Sequence, residues 1–133
     1  MKNKNRMGQG LVELALTIPI MLLLLLGIVE FGRAWMVKNL LTGASREAAR
    51  AAVVQFSQEE STNIAIVRAQ DILTLSGIEG ASVTVINHDP PDMTLEVIVS
   101  YSFPISFGGF FGFIGMNDHI ILSSSTSMRR QNY

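Results

Sequence analysis

The chain has no cysteine. That excludes disulfides, thiolate metal sites and cysteine nucleophiles. Charge is scarce too, with Asp, Glu, Lys and Arg at 16% of 133 residues, below the usual quarter. The formal net charge is −1, so no basic excess argues for nucleic-acid binding. Histidine occurs only at His88 and His119. Asp89 and Asp118 adjoin them, but neither pair has the helix or hairpin spacing of a metal site, and no metal or other cofactor is expected. The serine run at residues 123–127 lacks a nucleophile-elbow setting. No glycine-rich phosphate loop follows a strand. These absences argue against an enzyme.

Apolar residues make up 48% of the chain, and they concentrate at the front. From 14 to 29 every residue is apolar except Thr17, with Pro19 and Gly27 as helix-unfriendly positions. Residues 11–31 come close to the ~20 that a helix needs to cross a bilayer. Lys2, Lys4 and Arg6 precede the run, which predicts a cytoplasmic N-terminus and an exported remainder. Phe31 and Trp35 follow it, as interfacial aromatics do. A removable secretory signal needs a shorter apolar core and an A-x-A-like site after it; here the run continues into GIVEFGRAW. An uncleaved membrane anchor satisfies the span length alone.

Gly8 and Glu13 add a second layer. Cleavage after Gly8 makes Gln9 the first mature residue and Glu13 the fifth. A basic leader, a glycine, an acid at mature position five and an apolar helix together resemble a type IV pilin precursor. A carboxylate at the edge of an apolar span is costly unless paired. In a pilin-like helix it meets the free amino group of a neighbouring subunit, although desolvation takes back much of that gain. The plainer reading is an acid in the first helical turn, favoured by the helix dipole. Pro19 removes one backbone hydrogen bond and should kink or loosen the helix. Glu30 and Arg33 are three apart and can pair on one face.

Longer motifs carry a closer resemblance. Glu13, Ala15, Leu16 and Pro19 form an E-x-A-L-x-x-P pattern before a leucine-rich span. Gly27, Ile28, Glu30, Phe31, Gly32 and Arg33 follow as G-I-x-E-F-G-R. Ala44, Arg46, Glu47, Ala49, Arg50 and Ala52 then make an A-x-R-E-x-A-R-x-A helix. Residues 8–56 so arranged resemble the TadE-like family of the tight-adherence (Tad, or Flp) pilus system, and the closing ILSSSTSMRR is similar more weakly. The resemblance implies a structural minor pilin, or pseudopilin, held in the bacterial cytoplasmic (inner) membrane with its head outside, or carried into an extracellular pilus. It implies a prepilin peptidase as processing partner, with Gly8 and Gln9 flanking the cut. Other Tad pilins, platform proteins and membrane lipid would be its remaining partners. Gly10, at mature position two, departs from the pattern and adds backbone freedom. The alternative is an uncleaved single-pass anchored binding module that displays its head outside the cell.

Beyond the span, alanines at 44, 48, 49, 51 and 52 supply helix propensity. Their small face can approach another helix closely, and a continuous helix over residues 9–56 would be roughly 70 Å long. Ser57 to Glu60 reads as a capping box opening a second helix, with Ile66, Ala69, Ile72 and Leu73 at helical spacing and Gly77 at its C-terminal cap. Residues 82–87 and 94–103 alternate as strands, joined by the proline-rich turn at 89–92. A third strand is expected from about His119 to Met128. The fold class expected is α+β: a long N-terminal transmembrane helix, then a small head of one helix and a three-stranded antiparallel sheet. The divisions expected are a leader at 1–8, a transmembrane and assembly helix at 9–56 and a head at 57–133. Between the last two strands, Phe107, Phe110, Phe111 and Phe113 lie in a glycine-rich loop. A loop this apolar either plugs the head's core or presents an interaction surface.

Overall fold

The computed structural model describes residues 4–88, 93–108 and 117–130. Helix α1 spans Lys4–Val53 and α2 spans Gln58–Leu75, followed by strands β1 (Ser82–Asn87), β2 (Thr94–Pro104) and β3 (His119–Arg129). The fold is α+β, with the sheet antiparallel in the order β1-β2-β3. The expected elements are present, with small differences at their ends. α1 starts before Gln9 and stops short of Phe56, while β2 and β3 each run one residue further. The turn at 89–92 lies outside the described residues.

The chain divides into two compact units, Met1–Arg33 and Ala34–Tyr133, and α1 contributes to both. The division falls within α1, well before residue 57, because the second half of this helix is a core element of the C-terminal unit. In the first unit the stretch of α1 over residues 14–29 is apolar except for Thr17, and Leu11, Leu16, Leu24 and Ile28 are all exposed. Pro19 sits inside the helix without ending it.

In the second unit, alternation along β2 turns Leu95, Val97, Val99 and Phe103 inward. Their register partners on β3 are Met128, Thr126, Ser124 and Ile120, and on β1 they are Asn87, Val85 and Val83 for the first three. Leu41, Ala44, Ala48, Ala49 and Ala52 of α1 close over this face together with Ala65, Ala69 and Leu73 of α2. Small side chains on both helices let their backbones approach the sheet, where β-branched residues fill the space.

α2 has defined ends. Ser57 is the N-cap, and its hydroxyl accepts from the Glu60 amide at 3.2 Å. At the other end the Ile78 amide donates to the Leu73 carbonyl at 2.9 Å and the Gly77 amide to the Thr74 carbonyl at 3.0 Å. With Gly77 at φ +75, this is a Schellman motif. Leu73 and Ile78 are both buried in the core, which supplies the hydrophobic contact that accompanies such a cap.

Candidate functional site

Gly8, Gln9 and Glu13 all lie within α1 and are exposed. A Cβ at Gly8 or Gly10 would meet nothing within 4 Å, so neither glycine is required by packing in the isolated chain. The Gly8–Gln9 peptide bond belongs to a helix whose first turn holds no acid to favour it. Within residues 11–29, Glu13 and Thr17 alone carry polar side chains. The Thr17 hydroxyl is satisfied locally, donating to the Glu13 carbonyl at 2.7 Å. The Glu13 carboxylate has no partner among the described residues. One ionisable group therefore stands alone on an apolar, uncovered helix, an arrangement that favours a partner from outside the chain.

The apolar part of α1 is long enough to cross a membrane, and none of its most apolar window is buried within the chain. Glu30 and Arg33 mark its far end. One guanidinium nitrogen of Arg33 donates to both carboxylate oxygens of Glu30, at 2.9 and 3.0 Å. Phe31 and Trp35, near this pair in sequence, are both exposed.

The A-x-R-E-x-A-R-x-A motif divides between two faces. Ala44, Ala49 and Ala52 are fully buried in the second unit, while Arg46 and Arg50 are exposed. The small face thus packs against the chain's own sheet and α2. Sequence reasoning missed a polar seam beside it. The hydroxyls of Thr42 and Ser124 lie 3.0 Å apart, those of Ser45 and Thr126 2.8 Å apart, and the Lys38 ammonium donates to the Ser123 carbonyl. Arg130 likewise donates to the Ser57 carbonyl and the Ser61 hydroxyl, tying the end of β3 to the start of α2. The available signal was small hydroxyl residues at positions that alternation and helical period both turn inward.

Phe107 is exposed at the base of the β2–β3 loop; Phe110, Phe111 and Phe113 lie outside the described residues. That base is narrow. The Ile105 amide donates to the Asp118 carbonyl at 2.9 Å, and a Cβ on Gly108 would fall 2.6 Å from the Asp118 Cβ. His119 Nδ1 lies 2.5 Å from Asp118 Oδ1, and this hydrogen bond holds the Asp118 carboxyl below the ordinary 3.8. His88 lies 3.9 Å from Glu96. The His88 amide bonds the Thr94 carbonyl at one end of β2, while His119 pairs with Pro104 at the other. About 33 Å of strand separates the two histidines, so they do not converge. Among the described residues no group of three or more His, Asp or Glu side chains is placed to hold a metal ion.

No curated protein and no solved structure matches the chain. The family model described as TadE-like protein matches residues 8–50, a segment that opens on Gly8, includes Glu13 and closes on Arg50. The match falls on the segment whose motifs resemble that family, and the same segment holds a helix long and apolar enough to cross a membrane.

Proposed function

We propose that the chain is a structural minor pilin, or pseudopilin, of a Tad/Flp-type adhesive pilus, and that a prepilin peptidase matures it by cutting between Gly8 and Gln9. The observation that carries this reading is the lone Glu13 carboxylate on an uncovered apolar helix, five residues after the glycine that opens the TadE-like match. Cleavage leaves a free amine on Gln9. In an assembly the Glu13 of one subunit pairs with that amine on another, and the low dielectric between packed helices strengthens the pair. Before assembly the helix holds the subunit in the inner membrane, N-terminus inside and head outside. The basic leader of Lys2, Lys4 and Arg6 favours that orientation. The function is structural, and no catalytic role is assigned.

The test is the mass of the N-terminal peptide of the membrane-bound protein, with and without the peptidase. Mass spectrometry suits an N-terminal Gln9, which cyclises and blocks stepwise degradation. A peptidase-dependent start at Gln9 is expected. An intact leader overturns maturation and favours the uncleaved anchored module.

A further inference from the structure

The outward face of α1 in the second unit is left uncovered among the described residues. Leu41, Ala44, Ser45, Ala48 and Ala52 turn one side of the helix into the core. At 3.6 residues per turn, Asn39, Gly43, Arg46 and Arg50 fall on the other side, and all four are exposed. The Arg50 side chain is 75% exposed and comes only within 4.0 Å of Glu47. Arg46 has no partner among the described residues.

α2 presents the opposite charge beside it. Glu59 and Glu60 open the helix, both are exposed, and neither carboxylate has a partner among the described residues. The positions of the two helices follow from their contacts. α1 lies over β3, with Thr42 at Ser124 and Ser45 at Thr126, so helix and strand run the same way. α2 begins beside the end of β1, where the Asn87 amide donates to Thr62, and it leads back to the start of β1. α1 and α2 are therefore antiparallel neighbours on one sheet face. The arginines in the last turns of α1 and the glutamates in the first turn of α2 flank the same connection, residues 54–57. Val54 and Phe56 in that connection are 69% and 95% exposed.

We propose that this outward helical face docks a second copy of the chain about a two-fold axis parallel to α1, with Arg46 and Arg50 of each copy against Glu59 and Glu60 of the other. An axis in that direction exchanges α1 with α2 at the same level, so base meets acid twice, as an isologous contact requires. It places the exposed Val54 and Phe56 of both copies at the same end of the contact, next to the charged pairs. It also keeps the second halves of the two α1 helices parallel to each other. Setting α1 against α1 would instead oppose arginine to arginine, which is destabilising. The proposal rests on the membrane-anchored reading above and names its self-contact.

The test uses the full chain in its own membrane. Because the protein has no cysteine, introduced thiols are the sole reporters. Two differently tagged copies carry Arg46→Cys and Glu60→Cys, and a short bis-maleimide joins them, since long charged side chains hold the Cβ atoms further apart than a disulfide bridges. A mixed dimer is expected well above both the Arg46→Cys self-pair and a control pair of Glu79→Cys with Arg129→Cys. Charge reversal with R46E/R50E should weaken dimerisation by about tenfold, because each surface pair is modest but occurs twice. Adding E59K/E60K should restore it. A dominant Arg46→Cys self-pair, no link above control, or failure of the charge swap to restore dimers would each overturn the face. The N-terminal mass of the same samples reads maturation separately. A link with an intact leader upholds the face and overturns processing alone.

Discussion

Replacing Ala48 by leucine puts an isobutyl group where the structure leaves no room. Ala48 is fully buried and shares its cluster with Leu95, Val97 and Val99. With Ala48 fully buried in that cluster, the longer side chain presses on the neighbours of α1, and the helix or the sheet must shift to admit it. Overpacking of this kind costs about 1–3 kcal/mol. At about 2 kcal/mol the opening equilibrium of the second unit changes roughly 30-fold. Hydrogen exchange of β2 amides, read by mass spectrometry on the protein in lipid nanodiscs, should therefore accelerate roughly 30-fold in Ala48→Leu. Peptides from the apolar half of α1 should exchange as before, because that segment belongs to the other compact unit. Gly43→Ala is the control on the opposite face. Its new Cβ meets nothing within 4 Å, and exchanging glycine for alanine inside a helix stabilises by about 1 kcal/mol, so β2 exchange should slow. Unchanged protection of β2 in Ala48→Leu would refute the close approach of α1 to the sheet.

Three further outcomes are expected. Gly8→Val should leave membrane insertion intact, since the position is open, and should block maturation by crowding the scissile bond; normal processing of that variant removes Gly8 from the site. Glu13→Ala should insert normally but reduce surface pili; wild-type pilus counts by electron microscopy would sink the pairing role of Glu13. Asp118 should titrate below 3.8, because His119 holds its ionised form. A depressed carboxyl pKa stabilises the fold fully above the ordinary value and loses that contribution as pH falls through the lowered one. His119→Ala should move the Asp118 carbonyl resonance midpoint upward toward 3.8, and an unmoved midpoint would exclude the hydrogen bond as the cause.

Much of this protein was legible in order along the chain. Alternation located β1 and β2 because one face of the sheet is covered and the other is not. Ser57 and Gly77 marked the ends of α2 because each satisfies a local backbone need, a free amide in one case and a left-handed turn in the other. The Glu30–Arg33 pair followed from helical spacing alone. One reading needed more than local rules. The alanine face of α1 looked suited to close approach by another helix, and it packs against both α2 and the sheet of its own chain, because periodicity shows that a face is small without showing what covers it. Pro19 lies inside α1 without ending it, because the loss of one backbone hydrogen bond can loosen a helix without stopping it.

By itself the sequence determined the long apolar helix, the spacing of Gly8 and Glu13 and the succession of elements. Each of these depends on neighbours a few residues apart, through hydrophobic period, cap chemistry or fixed spacing. Tertiary structure alone decided where the second half of α1 goes. The pairing of Thr42 with Ser124 and of Ser45 with Thr126 joins residues about eighty positions apart, and no local rule connects them. The same packing buries the motif's alanines and leaves Arg46 and Arg50 outside, because a helix laid on a sheet can turn only one of its faces inward.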